Sequence, residues 1–237
     1  MQYIEDNNLD EKLQSAYKKL HSTETALLRV QDDILRAADR GCTVVLLLLD
    51  LSAAFDTVDH GLLLHRLNTR FGIKDKVLAW FKSYLTDRSL FVRINGSNSS
   101  QSNLKFGVPQ GSVLGPILYL LYTSPLGDII RRHDMNFHFY ADDCQIYFSF
   151  DSVSSDTITR IEACLQDIAT WMSLNKLKLN GDKTELLVIG LCKLPVFRLP
   201  SFTAIDGSVI EPSHFARNIG VIFDNKLDME HLSFCYL

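Results

Sequence analysis

The chain has 237 residues, of which 46% are hydrophobic and 22% are charged. This composition excludes a disordered tail and a fibrous protein, and the length suits one large globular domain or two small ones. The formal net charge is -4. A protein that binds nucleic acid over its whole surface usually carries net positive charge, so the total charge by itself argues against such a binder.

The five cysteines show no spacing typical of a zinc site or a disulfide framework, because no CxxC occurs and their number is odd. They are Cys42, Cys144, Cys164, Cys192 and Cys235. This favours reduced thiols in an intracellular protein. The first residues lack the basic and apolar segments of a secretory signal, and the apolar run at 44–49 is far shorter than the roughly 20 residues that span a bilayer. We therefore expect a protein of the nucleus or cytoplasm that is neither secreted nor bound to a membrane.

In chain order, the first forty residues are predicted to be helical, with an apolar pattern that begins after Ser22 and stops at Gly41. The run Val44–Leu49 has strand length and no polar position, which predicts a strand buried on both faces that ends at Asp50. The next predicted elements are helices at 59–68 and 74–85, then a hairpin turning at Asn95-Gly96 between strands at 90–94 and 101–106.

After a loop at 107–111, an apolar helix is predicted from Ser112, as its cap, to about Ile130. Only Asp142-Asp143 separates two strand-like runs, which predicts a hairpin with two carboxylates at its tip. The remaining predicted elements are a helix with an apolar stripe from 158 to 172 and strands at 184–189 and 218–223. Strands and helices that alternate in blocks indicate an α+β fold.

Three carboxylates stand at the ends of predicted strands, although 92 residues separate Asp50 from Asp142. If their strands are neighbours, Asp50, Asp142 and Asp143 converge at one edge of a sheet and repel one another. Two divalent cations relieve this repulsion, and Mg²⁺ prefers such oxygen ligands and also takes substrate phosphates. Each motif alone has an ordinary explanation, as a solvated strand end or as turn chemistry.

The ordered motifs resemble those of non-LTR (LINE-type) retrotransposon reverse transcriptases. Tyr140-Ala141-Asp142-Asp143 is similar to the central catalytic motif of that family, and 45–60, around Asp50, is similar to the first. The segments similar to the second motif, the fourth motif and the primer-grip region are 107–116, 174–187 and 218–221, and 21–27 and 80–85 also look characteristic of these elements. The similarity follows family order from about residue 13 to 231.

The resemblance implies an α+β right-hand polymerase palm with partial fingers, in which helices back a central antiparallel sheet. It implies an incomplete domain, with a remnant of the fingers at 1–43, mainly palm at 44–237, a fingers insertion near 66–106 and no thumb. It further implies an RNA template, a DNA primer and deoxynucleotides as partners, and two Mg²⁺ ions for which Mn²⁺ is a possible substitute.

The metal site implied by the resemblance contains Asp50, Asp142 and Asp143, with the backbone carbonyl of Leu51 as a further ligand. Lys183 would protonate the leaving pyrophosphate as a general acid, and its alternative is a solvated surface lysine.

The implied nucleotide contacts come from two other segments. The backbone amides of Ala53 and Ala54 would face the triphosphate, and Gln110 would contact the incoming nucleotide, with Gly111 allowing close backbone approach. Phe55 would exclude a ribose 2′-hydroxyl as a steric gate, unless it is an ordinary core aromatic. Structural roles are expected for three further residues: helix capping for Asp56 and Asp59, and a satisfied polar contact for His60.

Three functions remain open: a polymerase domain with an incomplete grip on its substrate, a retroelement relic that folds without polymerising, and another two-metal phosphotransferase such as a nuclease. Residues 66–105 carry eight basic side chains against two acidic ones, a local charge of +6. This segment is either a template or primer contact or a solvated helical face. The total charge of -4 therefore does not exclude a polymerase.

Overall fold

A computed structural model of the protein describes residues 2–52, 55–152, 154–190, 202–203 and 209–227. The chain forms two compact units, and each is treated separately below. The helical unit comprises Met1–Asp10, Ala53–Ser124 and Asn175–Leu177, and the sheet unit comprises Glu11–Ser52, Pro125–Leu174 and Lys178–Leu237. Within the described ranges no helix combines the length and the apolar character that a membrane span requires.

The described elements alternate between helices and strands along the chain. The helices are α1 (Gln2–Asp6), α2 (Thr23–Asp39), α3 (His60–Thr69), α4 (Asp75–Leu85), α5 (Leu114–Thr123), α6 (Pro125–Arg132) and α7 (Ser155–Leu174), with a 3₁₀ turn at Gly181–Lys183. The strands are β1 (Thr43–Leu49), β2 (Leu51–Ser52), β3 (Arg88–Leu90), β4 (Arg93–Ile94), β5 (Ser97–Asn98), β6 (Ser102–Leu104), β7 (Asn136–Tyr140), β8 (Asp143–Phe150), β9 (Lys178–Leu179), β10 (Glu185–Ile189), β11 (Phe202–Thr203), β12 (Val209–Ile210), β13 (Pro212–Ser213), β14 (Phe215–Asn218) and β15 (Val221–Asp224).

The sheet unit is organised around five strands in the order β13-β10-β1-β8-β7, antiparallel except for the β10–β13 pair. Every residue of the central strand β1 is buried, as its unbroken apolar run predicts. The mixture of helices with a mostly antiparallel sheet confirms the expected α+β fold with a central antiparallel sheet.

The two faces of this sheet carry different apolar contacts because successive strand residues point to opposite sides. On one face, Val30 and Ile34 of α2 pack in a core with Leu46, Leu187 and Phe223. The other face includes Val45 and Leu47, which line a small apolar cavity together with α7 residues. Four members of the predicted α7 stripe are buried: Ile161, Leu165, Ile168 and Met172.

In the helical unit the predicted helices α3 and α4 are confirmed, and α3 begins where Asp59 accepts a 2.9 Å hydrogen bond from the backbone N–H of Leu62. The predicted hairpin forms around Asn95-Gly96, both with positive φ. Its strands are shorter than predicted: β4 pairs with β5 next to the turn, and β3 pairs with β6 farther out.

Two helix predictions were wrong in extent. Ser112 accepts a 2.9 Å hydrogen bond from the backbone N–H of Gly115, as expected of a cap, although α5 begins only at Leu114. Pro125 divides the predicted 112–130 segment into α5 and α6 because it lacks the N–H that would continue the helical hydrogen bonds. The first forty residues contain only α1 and α2 instead of a continuous helix. The predicted start of α2 after Ser22 is confirmed, and the structure shows that Ser22 caps this helix, since its side chain accepts from the backbone N–H of Thr25.

The predicted tip of the β7–β8 hairpin and the predicted strand at 218–223 also need correction. Tyr140 pairs with Asp143, so the loop between β7 and β8 is Ala141-Asp142, and Asp143 is the first strand residue. The single strand predicted at 218–223 is a hairpin, because Ile219 and Gly220 adopt left-handed φ values of 45° and 83° that reverse the chain between β14 and β15.

Candidate active site

Asp50 lies at the end of β1 in the sheet unit, and Asn180 holds it by two hydrogen bonds. The backbone N–H of Asn180 donates to the Asp50 carbonyl at 3.0 Å, and its side-chain Nδ2 donates to Asp50 Oδ2 at 3.2 Å. The paired strands β2 and β9 bring the two segments together, with Leu51 opposite Leu179. Asn180 thus positions both the backbone and the carboxylate of a predicted catalytic residue.

Asp142 and Asp143 lie at the β7–β8 hairpin of the same unit, and the β1–β8 pairing brings this hairpin to the Asp50 end of β1. Loss of hydration raises the pKa of Asp142, and the negative charge of Asp50 raises it further. The pKa of Asp143 rises to about 6, first through loss of hydration and then through Asp142 and Asp50. The three carboxylates therefore interact, as the sequence predicts.

Asp50 and Asp143 line one cleft of about 520 Å³, together with Leu48, Leu49, Lys183, Glu185, Arg217, Ile219 and Gly220. Lys183 Nζ lies 3.8 Å from Asp50 Oδ2, and its side chain is 69% exposed. An exposed pair at this distance contributes little to stability, so Lys183 is available to a ligand in the cleft.

Glu185 and Arg217 are cleft residues that sequence reasoning missed. Glu185 Oε2 accepts a 2.7 Å hydrogen bond from the backbone N–H of Arg217, which joins β10 to the β14–β15 hairpin. The available signal was position, since Glu185 lies within the segment similar to the fourth motif and Arg217 directly precedes the segment similar to the primer grip. Arg217 adds a second cationic residue to the cleft lining besides Lys183.

The donor set fits Mg²⁺ bound partly through substrate. Across the described ranges no three His, Cys, Asp or Glu side chains form a group that could hold an ion by themselves. Mg²⁺ commonly takes only one or two carboxylates and fills its remaining positions with water and substrate phosphates. Asp50 and Asp143 on one cleft, with Asp142 in the adjoining turn, suit that mode.

Of the predicted nucleotide set, Phe55, Gln110 and Gly111 lie in the helical unit, whereas Leu51, whose metal and nucleotide roles stay predictions, lies on β2 of the sheet unit. The half-buried Phe55 ring stacks on Tyr119 with 4.4 Å between ring centroids. Gln110 is exposed and donates through Nε2 to Asp56 Oδ1 at 3.0 Å, and the exposed Gly111 has a φ of 77°. The roles of Phe55, Gln110 and Gly111 stay predictions, and Ala53 and Ala54 lie outside the described residues.

Of the three residues predicted to have structural roles, two have the predicted role and one does not. Asp59 caps α3, as predicted, and His60 makes its expected polar contact, with 2.7 Å between Nε2 and the Gly107 carbonyl oxygen. The capping role predicted for Asp56 was wrong, because its carboxylate accepts from Gln110 instead.

The basic side chains of residues 66–105 in the helical unit differ in their exposure and in their internal hydrogen bonds. Arg66 binds Asn175 Oδ1 at 2.5 Å and also bonds to the carbonyl oxygen of Tyr122, so this cation is used internally. The exposed basic residues are Arg70, Lys74, Lys76, Lys82, Arg93 and Lys105. The exposed Trp80 lies among them on α4.

Comparison with known proteins gives a consistent result along the chain. The family model described as reverse transcriptase (RNA-dependent DNA polymerase) matches residues 1–230. In Drosophila melanogaster, the probable RNA-directed DNA polymerase from transposon X-element is 30% identical over 94% of this chain and 24% of its own length. The corresponding proteins of transposon BS and mobile element jockey are 29% and 27% identical over 90% and 91% of this chain, and 24% and 23% of their own lengths. The chain thus spans about a quarter of these relatives.

Solved telomerase structures share the fold. Apo telomerase from Candida tropicalis, truncated from its C-terminal domain, superposes with a TM-score of 0.60 at 14% identity, covering 90% of this chain and 40% of that one. Telomerase from Candida albicans, in complex with a TWJ fragment of telomeric RNA, gives 0.58 at 16% identity, covering 90% and 36%. At these identities the likeness concerns the fold alone.

Proposed function

Since this chain belongs to the reverse transcriptase family, with non-LTR retrotransposon relatives over most of its length, we propose that it catalyses RNA-templated transfer of deoxynucleotides to a primer 3′-hydroxyl. The observation that carries the proposal is the cleft of the sheet unit. There Asp50 and Asp143 line the same cleft as the cationic residues Lys183 and Arg217. Carboxylates beside cations suit a substrate that has both a metal-bound triphosphate and a negatively charged strand.

Asp50, Asp142 and Asp143 are the proposed ligands of two Mg²⁺ ions, for which Mn²⁺ is a possible substitute, with the carbonyl of Leu51 as a further ligand. Bound Mg²⁺ supplies the positive charge that activates the primer hydroxyl and neutralises the triphosphate during in-line displacement. Loss of hydration and then the charges of neighbouring carboxylates raise the pKa values of Asp142 and Asp143, and the repulsion between these charges supports the assignment because bound cations remove it.

Asn180 and Lys183 have separate tasks in this scheme. Asn180 keeps the Asp50 carboxylate at the cleft through its Nδ2 hydrogen bond. Lys183 gives a proton to the leaving pyrophosphate as its general acid, and its exposure leaves it able to move toward that group. A purely structural lysine would leave the pH dependence of extension unchanged when replaced by methionine.

Nucleotide selection is assigned to the helical unit. The Phe55 ring, stacked on Tyr119, excludes a 2′-hydroxyl because an immobilised ring cannot move away from a larger sugar. Gln110 contacts the nucleotide, and Gly111 permits close backbone approach. Replacement of Phe55 by valine is expected to relax discrimination between deoxynucleotides and ribonucleotides, and unchanged discrimination would leave Phe55 as a core aromatic.

The partners proposed from the family are an RNA template, a DNA primer and deoxynucleotides. The exposed cations of 66–105 support strand binding because they attract phosphates, and the 54% exposed Trp80 offers a face on which a base stacks. A nuclear or cytoplasmic location stays a prediction.

The decisive experiment is primer extension by the full chain with RNA template, DNA primer, deoxynucleotides and Mg²⁺. Metal contacts supply several kcal/mol of transition-state stabilisation, so Asp142→Asn is expected to lower extension roughly 100-fold or more. The matched control is Asp167→Asn, which changes an exposed aspartate of α7 that contacts His133. Equal extension by wild type and Asp142→Asn would refute the proposal.

The alternative is a retroelement-derived chain that folds without polymerising. It predicts cooperative unfolding, no extension, and a melting temperature that Mg²⁺ and deoxynucleotides do not raise. Metal-dependent cleavage of RNA or DNA without extension would instead indicate a nuclease.

A further inference from the structure

Residues 13–16, the segment that precedes α2, contact the β7–β8 hairpin, and this contact includes the buried Gln14. Ser15 N–H donates to the Phe139 carbonyl at 3.0 Å, and Phe139 N–H donates to the Leu13 carbonyl at 2.8 Å, so the segment extends the sheet edge beside β7. Between these bonds Gln14 is 4% exposed. A polar side chain this buried is retained only where its hydrogen bonds are satisfied.

The side-chain amide of Gln14 makes three hydrogen bonds, two to Ala141 in the β7–β8 loop and one within its own segment. Its Oε1 accepts from the backbone N–H of Ala141 at 3.1 Å and from that of Ala16 at 2.8 Å. Its Nε2 donates to the Ala141 carbonyl at 3.3 Å. Both backbone polar groups of Ala141 are therefore bound by a side chain 127 residues away along the chain.

Ala141 needs such support because its φ is 55°, in the left-handed region that residues with a Cβ rarely adopt. Ala141 directly precedes Asp142 in the two-residue loop between β7 and β8. A change in the Ala141 backbone would rotate the following peptide and swing the Asp142 carboxylate away from its present position.

We propose that Gln14 is a positioning residue that holds Ala141 in its left-handed conformation and thereby sets the direction of the Asp142 carboxylate. The consequence for catalysis rests on the proposed function, since it requires Asp142 to bind metal. We call the two hydrogen bonds between the Gln14 amide and the Ala141 backbone the clamp. The clamp is a property of the folded chain and can be measured without metal or substrate. Gln14 contacts no reacting atom in this scheme and acts only through Ala141.

Three substitutions of Gln14 remove different parts of this set of hydrogen bonds. Methionine has nearly the length of glutamine without its donor or acceptor, so Gln14→Met removes all three bonds while keeping the volume. Gln14→Glu keeps the acceptor for Ala141 N–H and loses the donor to the carbonyl. Gln14→Asn is shorter by one methylene and cannot reach both groups of Ala141.

The matched control is Ser15→Ala in the same segment. Ser15 is also buried, and its Oγ bonds to His138 Nε2 at 2.8 Å and His21 Nδ1 at 2.9 Å, so the change removes buried hydrogen bonds without touching Ala141. A general loosening of the segment would affect both variants alike, whereas a clamp on Ala141 would affect only Gln14.

The test is hydrogen exchange of the Ala141 amide in the full chain without metal, followed by Mn²⁺ titration. One lost hydrogen bond corresponds to about tenfold, so in Gln14→Met we expect exchange at least about tenfold faster than in Ser15→Ala, with roughly tenfold weaker Mn²⁺ binding. Gln14→Glu should retain most of the amide protection. If Gln14→Met does not fold, Gln14→Asn serves the same comparison.

Equal Ala141 exchange in the Gln14 variant and in Ser15→Ala would overturn the clamp. Its failure is distinguishable from failure of the polymerase assignment. Faster exchange in a chain that extends no primer leaves the clamp standing and the proposed function refuted. Unchanged exchange in a chain that does extend primers leaves the function standing and refutes the clamp.

Discussion

Asp143→Asn is expected to stabilise the metal-free protein at neutral pH. Loss of hydration and the charges of Asp142 and Asp50 raise the Asp143 pKa from its ordinary 3.8 to about 6. The folded state therefore binds the proton more tightly than the unfolded state, and the ionised carboxylate destabilises the fold. Asparagine keeps the shape of the side chain and removes the charge.

The size of the effect follows from this pKa. One pKa step is worth about 1.4 kcal/mol, so the shift from 3.8 to about 6 would cost the folded state about 3 kcal/mol once Asp143 is ionised, if solvent did not screen it. The residue nevertheless presents a large part of its surface to solvent, and solvent screens the repulsion. We therefore expect a stabilisation of about 1 kcal/mol for Asp143→Asn.

The destabilisation by ionised Asp143 has a defined sign and a defined pH range. Because the folded pKa lies above the unfolded value, stability is lost as the pH rises from about 4 to about 6. The stability gap between Asp143→Asn and wild type should be absent near pH 4, grow through this window and level off above it.

Urea unfolding of both proteins from pH 4 to pH 7, with a chelator present, measures this gap. Added Mg²⁺ should narrow it, because only the wild type offers the carboxylate. A gap independent of pH, or a variant less stable than wild type at pH 7, would refute the electrostatic reasoning.

Three further predictions concern stability and geometry. Asp59→Ala removes the cap of α3 and should lower the free energy of unfolding by about 1 kcal/mol in urea titration; no change would mean that another group caps the helix. Gly107→Ala places a Cβ 2.9 Å from a backbone oxygen at a φ of 88° and should cost about 1–3 kcal/mol. Gly96→Ala, with φ 84° and no atom within 4 Å of the new Cβ, should cost less, and equal losses would contradict the steric argument. Asn180→Ala frees the Asp50 carboxylate and should weaken Mn²⁺ binding roughly tenfold by titration; unchanged affinity would show that Asp50 needs no support.

Much of the fold could be predicted from the sequence because its signals are local. The unbroken apolar run of β1 indicates a strand buried on both faces, and Ser22 and Asp59 mark the starts of two helices through hydrogen bonds to backbone groups three residues later. The carboxylates at strand ends likewise predict a site, because strand pairing brings such ends to one edge.

The tertiary structure decided which residues support that site, because their bonds connect distant parts of the chain. Asn180 reaches Asp50 across 130 residues and Gln14 reaches Ala141 across 127, and no local pattern specifies such partners. The same holds for Arg217, which is brought to the cleft by a hairpin whose left-handed turn lies inside the predicted strand 218–223. Residue type and spacing thus predict a carboxylate site, whereas only long-range packing determines how each carboxylate is held.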